Sequence, residues 1–110
     1  ALRLAEMATK IEAVRGLTER AAGAGRDNAP GAGPLWHLGK YFAAEGILKG
    51  AQHARELHGG HGMMLDFGVE KLFRDAAIFL HMDATTDISR LKIVKSMFPA
   101  TAGKYAGPEQ

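Results

Sequence analysis

The 110-residue chain contains no cysteine. That excludes disulfides, thiolate metal ligands and a thiol nucleophile. It also lacks any apolar run near the ~20 residues that a helix needs to cross a bilayer, so no membrane-spanning helix is expected. Neither sign of charge dominates: 14 Lys and Arg stand against 12 Asp and Glu, a formal net charge of +2. The charges are interleaved along the chain instead of forming a basic block, which argues against a nucleic-acid footprint. A single anionic cofactor is not excluded, because it needs only local positive charge. Internal repeats, a convincing period-two run and a signal-peptide pattern are all missing. Ala1 stands where a helix is already under way, so the chain reads as a fragment of the size of one domain.

What is present is helical periodicity. Met7, Ile11, Val14, Leu17 and Ala21 fall at intervals of three and four and predict an amphipathic first helix from about Leu4. Residues 22–34 are rich in Gly, Ala, Pro and Asx, and predict a flexible connector. A second helix is expected from near Pro34 through Leu35, Leu38, Phe42, Ile47, Ala51 and Ala54 to Leu57, stopped by Gly59 and Gly60. Val69, Leu72, Phe73, Ala76, Ala77 and Leu80 mark the inward face of a third. A fourth follows the polar run 83–87 and is expected to turn Ile88, Leu91, Val94 and Phe98 inward until Pro99, with residues 99–110 as a loose tail. The fold class is therefore all-α, an antiparallel four-helix bundle.

Several features could carry chemistry, each with a structural alternative. Gly39, Ala43, Gly46 and Gly50 make a stripe without bulk on the second helix, suited to close helix packing or to a ligand. The five histidines include His53, His58 and His61 near the Gly-Gly turn, but His53 and His58 differ by five positions and miss the i, i+4 spacing of helical metal sites. No metal site is predicted. The run Leu57-His58-Gly59-Gly60-His61-Gly62 is either a helix C-cap or a backbone cradle for anionic oxygens, and the two are compatible. Asp83, at the junction between two helices, is either an N-cap or a reactive carboxylate.

The order of these features resembles one family. Gly39-Lys40-Tyr41-Phe42-Ala43-Ala44-Glu45, Glu56-Leu57-His58-Gly59-Gly60-His61-Gly62, Val69-Glu70-Lys71-Leu72-Phe73-Arg74-Asp75-Ala76 and Asp83-Ala84-Thr85-Thr86-Asp87-Ile88-Ser89-Arg90-Leu91 follow one another as in the acyl-CoA dehydrogenase C-terminal domain, and Leu4-Ala5-Glu6-Met7-Ala8-Thr9 is similar to that domain's second helix. The likeness covers nearly all of residues 2–95. It implies an FAD-dependent enzyme with two further domains and one further helix upstream, assembled as a dimer of dimers, acting on an acyl-CoA and passing electrons to a partner protein. The setting implied is the cytoplasm, or the mitochondrial matrix in a eukaryote. A fragment lacking those parts is expected to be inactive alone.

The same resemblance implies the site. Gly59 and Gly60 would lie against the FAD of a neighbouring subunit, with Glu56 where the family prefers glutamine; ionised Glu accepts hydrogen bonds but cannot donate them. Thr85 and Asp87 match the family's Thr-x-Glu/Gln segment near the flavin. Asp83 stands where the family keeps the glutamate that removes the α-proton of the thioester, and Ala84, at the substrate, replaces the usual glycine. An apolar, water-poor pocket suits a carboxyl group to this task by bringing its proton affinity toward that of an activated thioester. Aspartate keeps the group but draws it back by roughly 1–1.5 Å. Three readings follow: Asp83 serves a ring or branched acyl group seated differently, the base lies on the upstream helix, or the bundle is a non-catalytic module for flavin binding and assembly.

Overall fold

The computed structural model describes residues 1–99 as four α-helices and two short 3-10 turns, with no strand among the described residues. The helices are α1 (Leu2–Arg26), α2 (Ala32–Leu57), α3 (Val69–Ile78) and α4 (Thr86–Met97); the 3-10 turns, Gly59–Met63 and Leu65–Phe67, lie between α2 and α3. Residues 100–110, which hold most of the expected tail, lie outside the described residues. No described helix is long and apolar enough to cross a membrane.

The expected connector over residues 22–34 is mostly helix. α1 continues to Arg26 and α2 begins at Ala32, leaving only residues 27–31 between them. Alanine explains part of this, since Ala21, Ala22 and Ala24 favour the helix that Gly23 and Gly25 weaken. Packing explains the rest: Gly25 lies under the Trp36 indole, whose Cζ2 is 3.4 Å from where a Cβ would stand. The reversal itself uses left-handed backbone, with Asn28 at φ 47° and Gly31 at φ 91°.

α2 is the hub, and α1, α3, α4 and the first 3-10 turn all pack on it. The buried apolar residues are small: Ala21, Ala44, Val69 and Ala76. Small side chains let helix axes approach closely, and Gly46 meets Val14 of α1 in this way. Gly39 and Gly50 have open space instead, so the stripe on α2 serves helix packing at Gly46 alone among its glycines. Most larger apolar side chains stay partly in water. Ile11, Leu72 and Ile88 are 54%, 62% and 45% exposed. α4 departs from its expected orientation, because Ser89 is its buried residue while Leu91 and Phe98 remain exposed. Periodicity marks an apolar stripe without saying which partner it meets; α4 turns its Ser89 side to α2 and leaves the Ile88–Leu91 side open. Arg90 fastens the contact, lying 4.6 Å over the Tyr41 ring and donating to Glu45, both on α2.

Candidate functional site

Asp83 lies in the α3–α4 connection. The N-cap of α4 is Thr85, whose hydroxyl accepts from the Ile88 N–H at 3.3 Å, so Asp83 is not needed as a cap. Its backbone is left-handed at φ 70°. The Ala84 N–H donates to the Met82 carbonyl at 2.9 Å, closing a three-residue turn around Asp83, and the Thr86 N–H reaches back to Leu80 O at 3.1 Å. Asp83 opens onto a cavity of about 280 Å³ whose other lining residues are Lys40, Ala43, Ala44, Ile47, Phe79 and Met82. One carboxylate and one ammonium thus sit at the rim of an otherwise apolar hollow, an arrangement fit for binding an apolar group beside a proton acceptor.

Three residues without an assigned role from the sequence complete this end. Lys40 donates to Phe79 O at 3.0 Å and also to Ala84 O. His37, one turn earlier on α2, is held below the ordinary histidine value by burial and by Lys92, while Asp83 pulls the other way. Arg90 takes Asp87 Oδ1 at 2.9 Å, so Asp87 is engaged within its own helix. A lysine inside the apolar stretch Leu38–Phe42 was the one sequence signal for Lys40.

Glu56, Gly59 and Gly60 are elsewhere. Glu56 ends α2 some 16 residues beyond Lys40, roughly 24 Å along the helix axis. The two halves of the expected site are therefore not joined in one chain. Glu56 pairs with Arg3 of α1 at 2.9 Å and accepts from Gln52 at 3.1 Å. Gly59 has φ +58° at the end of α2, the conformation expected of a glycine C-cap, and Gly60 has nothing within 4 Å of where a Cβ would be. Gly62 is the crowded one. A Cβ there would fall 2.2 Å from Arg55 O. Arg55 in turn lies over the Phe73 ring at 4.0 Å, which locks the turn against α3.

The histidines are used separately. His53 is buried, 3.6 Å from Glu6; His58 Nδ1 contacts Ala54 O at 2.8 Å; His61 meets the Phe67 ring edge-on at 4.8 Å. No group of three or more metal-capable side chains forms among the described residues.

Comparison with known proteins identifies the family of the fold. Residues 1–98 match the family model described as the acyl-CoA dehydrogenase C-terminal domain. The chain is 37% identical over 99 residues to the cyclohexane-1-carbonyl-CoA dehydrogenase of Geobacter metallireducens, covering 90% of this chain and 26% of that protein. An acyl-CoA dehydrogenase of Bacillus subtilis is 36% identical over the same shares. The caffeyl-CoA reductase-Etf complex subunit CarC of Acetobacterium woodii is 31% identical, over 84% of this chain and 24% of the subunit. The chain spans about a quarter of the length of these relatives. With four helices in the expected order and the family match over nearly the whole described length, the chain belongs to the acyl-CoA dehydrogenase family, as its C-terminal helical domain.

Proposed function

We propose that this domain belongs to an FAD-dependent acyl-CoA dehydrogenase, an oxidoreductase that introduces an α,β double bond into an acyl thioester, with Asp83 as the base. The observation that carries the proposal is the Asp83 carboxylate at the rim of an apolar cavity, freed from helix capping by Thr85. Asp83 takes the α-proton. Ala43, Ala44, Ile47, Phe79 and Met82 line the cavity beside it and offer an apolar surface on which an acyl group can rest next to the proton acceptor. A bound flavin would supply the hydride-accepting chemistry at the β-carbon. Ala84, next to the carboxylate in the chain, adds a methyl group where the family usually has glycine.

By the family resemblance, flavin would be met at both ends of the domain. At the Asp83 end, Thr85 caps α4 and Asp87 lies in its first turn, both exposed. At the other end, Gly60 offers uncovered backbone beside left-handed Gly59, and Arg3 answers the charge of Glu56. By that resemblance these two ends would serve two different flavins, one in the same subunit and one in a neighbour. A homo-oligomer, a dimer of dimers, satisfies that requirement. The cavity between α1 and α2, lined by Met7, Ile11, Val14, Gly46, Ile47 and Gly50, receives the preceding helix. The acyl substrate is a ring or branched group, because a shortened base needs the α-carbon seated closer to the backbone; the name of the Geobacter relative supports a ring. Reoxidation falls to a separate electron-transfer protein, as the Etf in the name of the Acetobacterium subunit suggests.

The test is anaerobic mixing of the full-length flavoprotein with straight, branched and cyclic acyl-CoA thioesters. Bleaching of the oxidised flavin band by at least one, with formation of the unsaturated thioester, is expected. Full flavin occupancy with no bleaching by any class contradicts the proposal.

A further inference from the structure

Asp83 occupies a backbone geometry that does not maintain itself. The turn of Met82, Asp83 and Ala84, closed by an N–H to carbonyl bond of 2.9 Å around a central φ of 70°, has the signature of the γ-turn with positive central φ, a rare and strained form. A strained residue persists only where its surroundings over-determine it. Here the surroundings include one side chain from a different helix. The Lys40 ammonium donates to Phe79 O, at the end of α3, and to Ala84 O, immediately after Asp83. It therefore grips both flanks of the strained turn at once. Two carbonyls that would otherwise turn to water are tied to α2, which is the element with the most packing in the fold.

We propose that Lys40 is the positioning residue for Asp83: it clamps Phe79 O and Ala84 O, holds the strained turn closed, and so fixes the direction in which the carboxylate enters the cavity that both residues line. This rests on Asp83 as the base. An aspartate has a shorter reach than a glutamate, so a drift of the turn is not absorbed by side-chain rotation. A displacement of about 1 Å at a reacting group costs up to ~100-fold in rate. Lysine suits the clamp because its ammonium offers three donors and follows the backbone on a flexible stem.

The experiment compares the full-length flavoprotein with its Lys40→Met and Lys40→Arg variants by two independent readouts. The first is amide hydrogen exchange in the peptide covering residues 79–86. The second is the rate of flavin reduction by the best acyl-CoA, with flavin occupancy and apparent substrate affinity measured alongside. Lys40→Met is expected to raise exchange in that peptide alone and to slow reduction at saturating thioester roughly 10–100-fold at unchanged flavin occupancy; Lys40→Arg, which keeps charge and donors, recovers much of both. Unchanged exchange in Lys40→Met overturns the clamp. Raised exchange with wild-type reduction rates overturns its role in positioning the base. If no thioester reduces the wild-type flavin while the variant still loosens residues 79–86, the functional reading fails and the clamp stands.

Discussion

Arg3 of α1 and Glu56 of α2 face each other at 2.9 Å where the two long helices come together. If Glu56 meets the flavin as proposed, the pairing answers its charge within the chain, where the family prefers an uncharged amide. Both side chains are partly exposed, at 50% and 35%, so the pair contributes about 0.2–1 kcal/mol. Arg3→Met is expected to weaken FAD binding to the full-length apoprotein by up to about fivefold, because it leaves Glu56 to repel the pyrophosphate. Glu56→Gln is expected to hold flavin as well as the wild type or better. A flavin titration of both variants checks this, and equal losses in the two would contradict it.

The glycines of the 58–63 turn differ in what they tolerate. Gly62→Ala pushes a methyl group into the Arg55 carbonyl, 2.2 Å from the ideal Cβ position, and is expected to cost about 1–3 kcal/mol. Gly60→Ala meets nothing within 4 Å and is expected to stay within about 0.5 kcal/mol of wild type. Denaturant midpoints of the two variants separate them. Any functional cost of Gly60→Ala falls on flavin occupancy, since its open backbone is the part proposed to meet the cofactor.

Gly23 lies inside α1, with nothing within 4 Å of its Cβ position. Gly23→Ala therefore gains helix propensity without a clash and is expected to stabilise by up to about 1 kcal/mol. A flexible connector at this point would show almost no change. Thermal melts of the variant and wild type distinguish the two.

How much of this was legible in the sequence depends on which interactions are local. Three-and-four spacing found α1, α2, α3 and α4, and the Gly-Gly stop of α2 was placed correctly, because periodicity and left-handed glycine are properties of short segments. Helix at residues 22–26 was not legible, since it depends on alanine between the glycines and on Trp36 arriving from the next helix. The exposed Ile88 and Leu91 were expected inside, because an apolar stripe is the same whether it faces this chain or another. Asp83 was singled out by its place between two helices, and its proposed role by family resemblance. The Lys40 clamp and the Arg3 partner of Glu56 were not, for each pairs residues more than 35 positions apart.

His37 supplies a pH dependence. Its proton affinity is depressed below the ordinary value of 6.5, first by burial and then by Lys92, with Asp83 acting in the opposite direction. The folded chain thus binds this proton less readily than the unfolded chain. The stability tied to neutral His37 is complete above pH 6.5 and is lost as pH falls through the depressed value. In an NMR titration of the His37 ring, Lys92→Met is expected to move the midpoint up and Asp83→Asn to move it down. Movement in the reverse directions would contradict the placement of these charges around His37.

The central claim is that Asp83 is the base, and the most direct measurement is stopped-flow reduction of the flavin in full-length wild type and Asp83→Asn under anaerobic conditions. Asparagine keeps the size of the side chain and its turn-forming ability while removing the proton acceptor. The account predicts full flavin occupancy in both proteins and a reduction rate in Asp83→Asn lower by roughly 100- to 10,000-fold. Reduction of Asp83→Asn at the wild-type rate would contradict it and favour a base on the helix upstream of these residues.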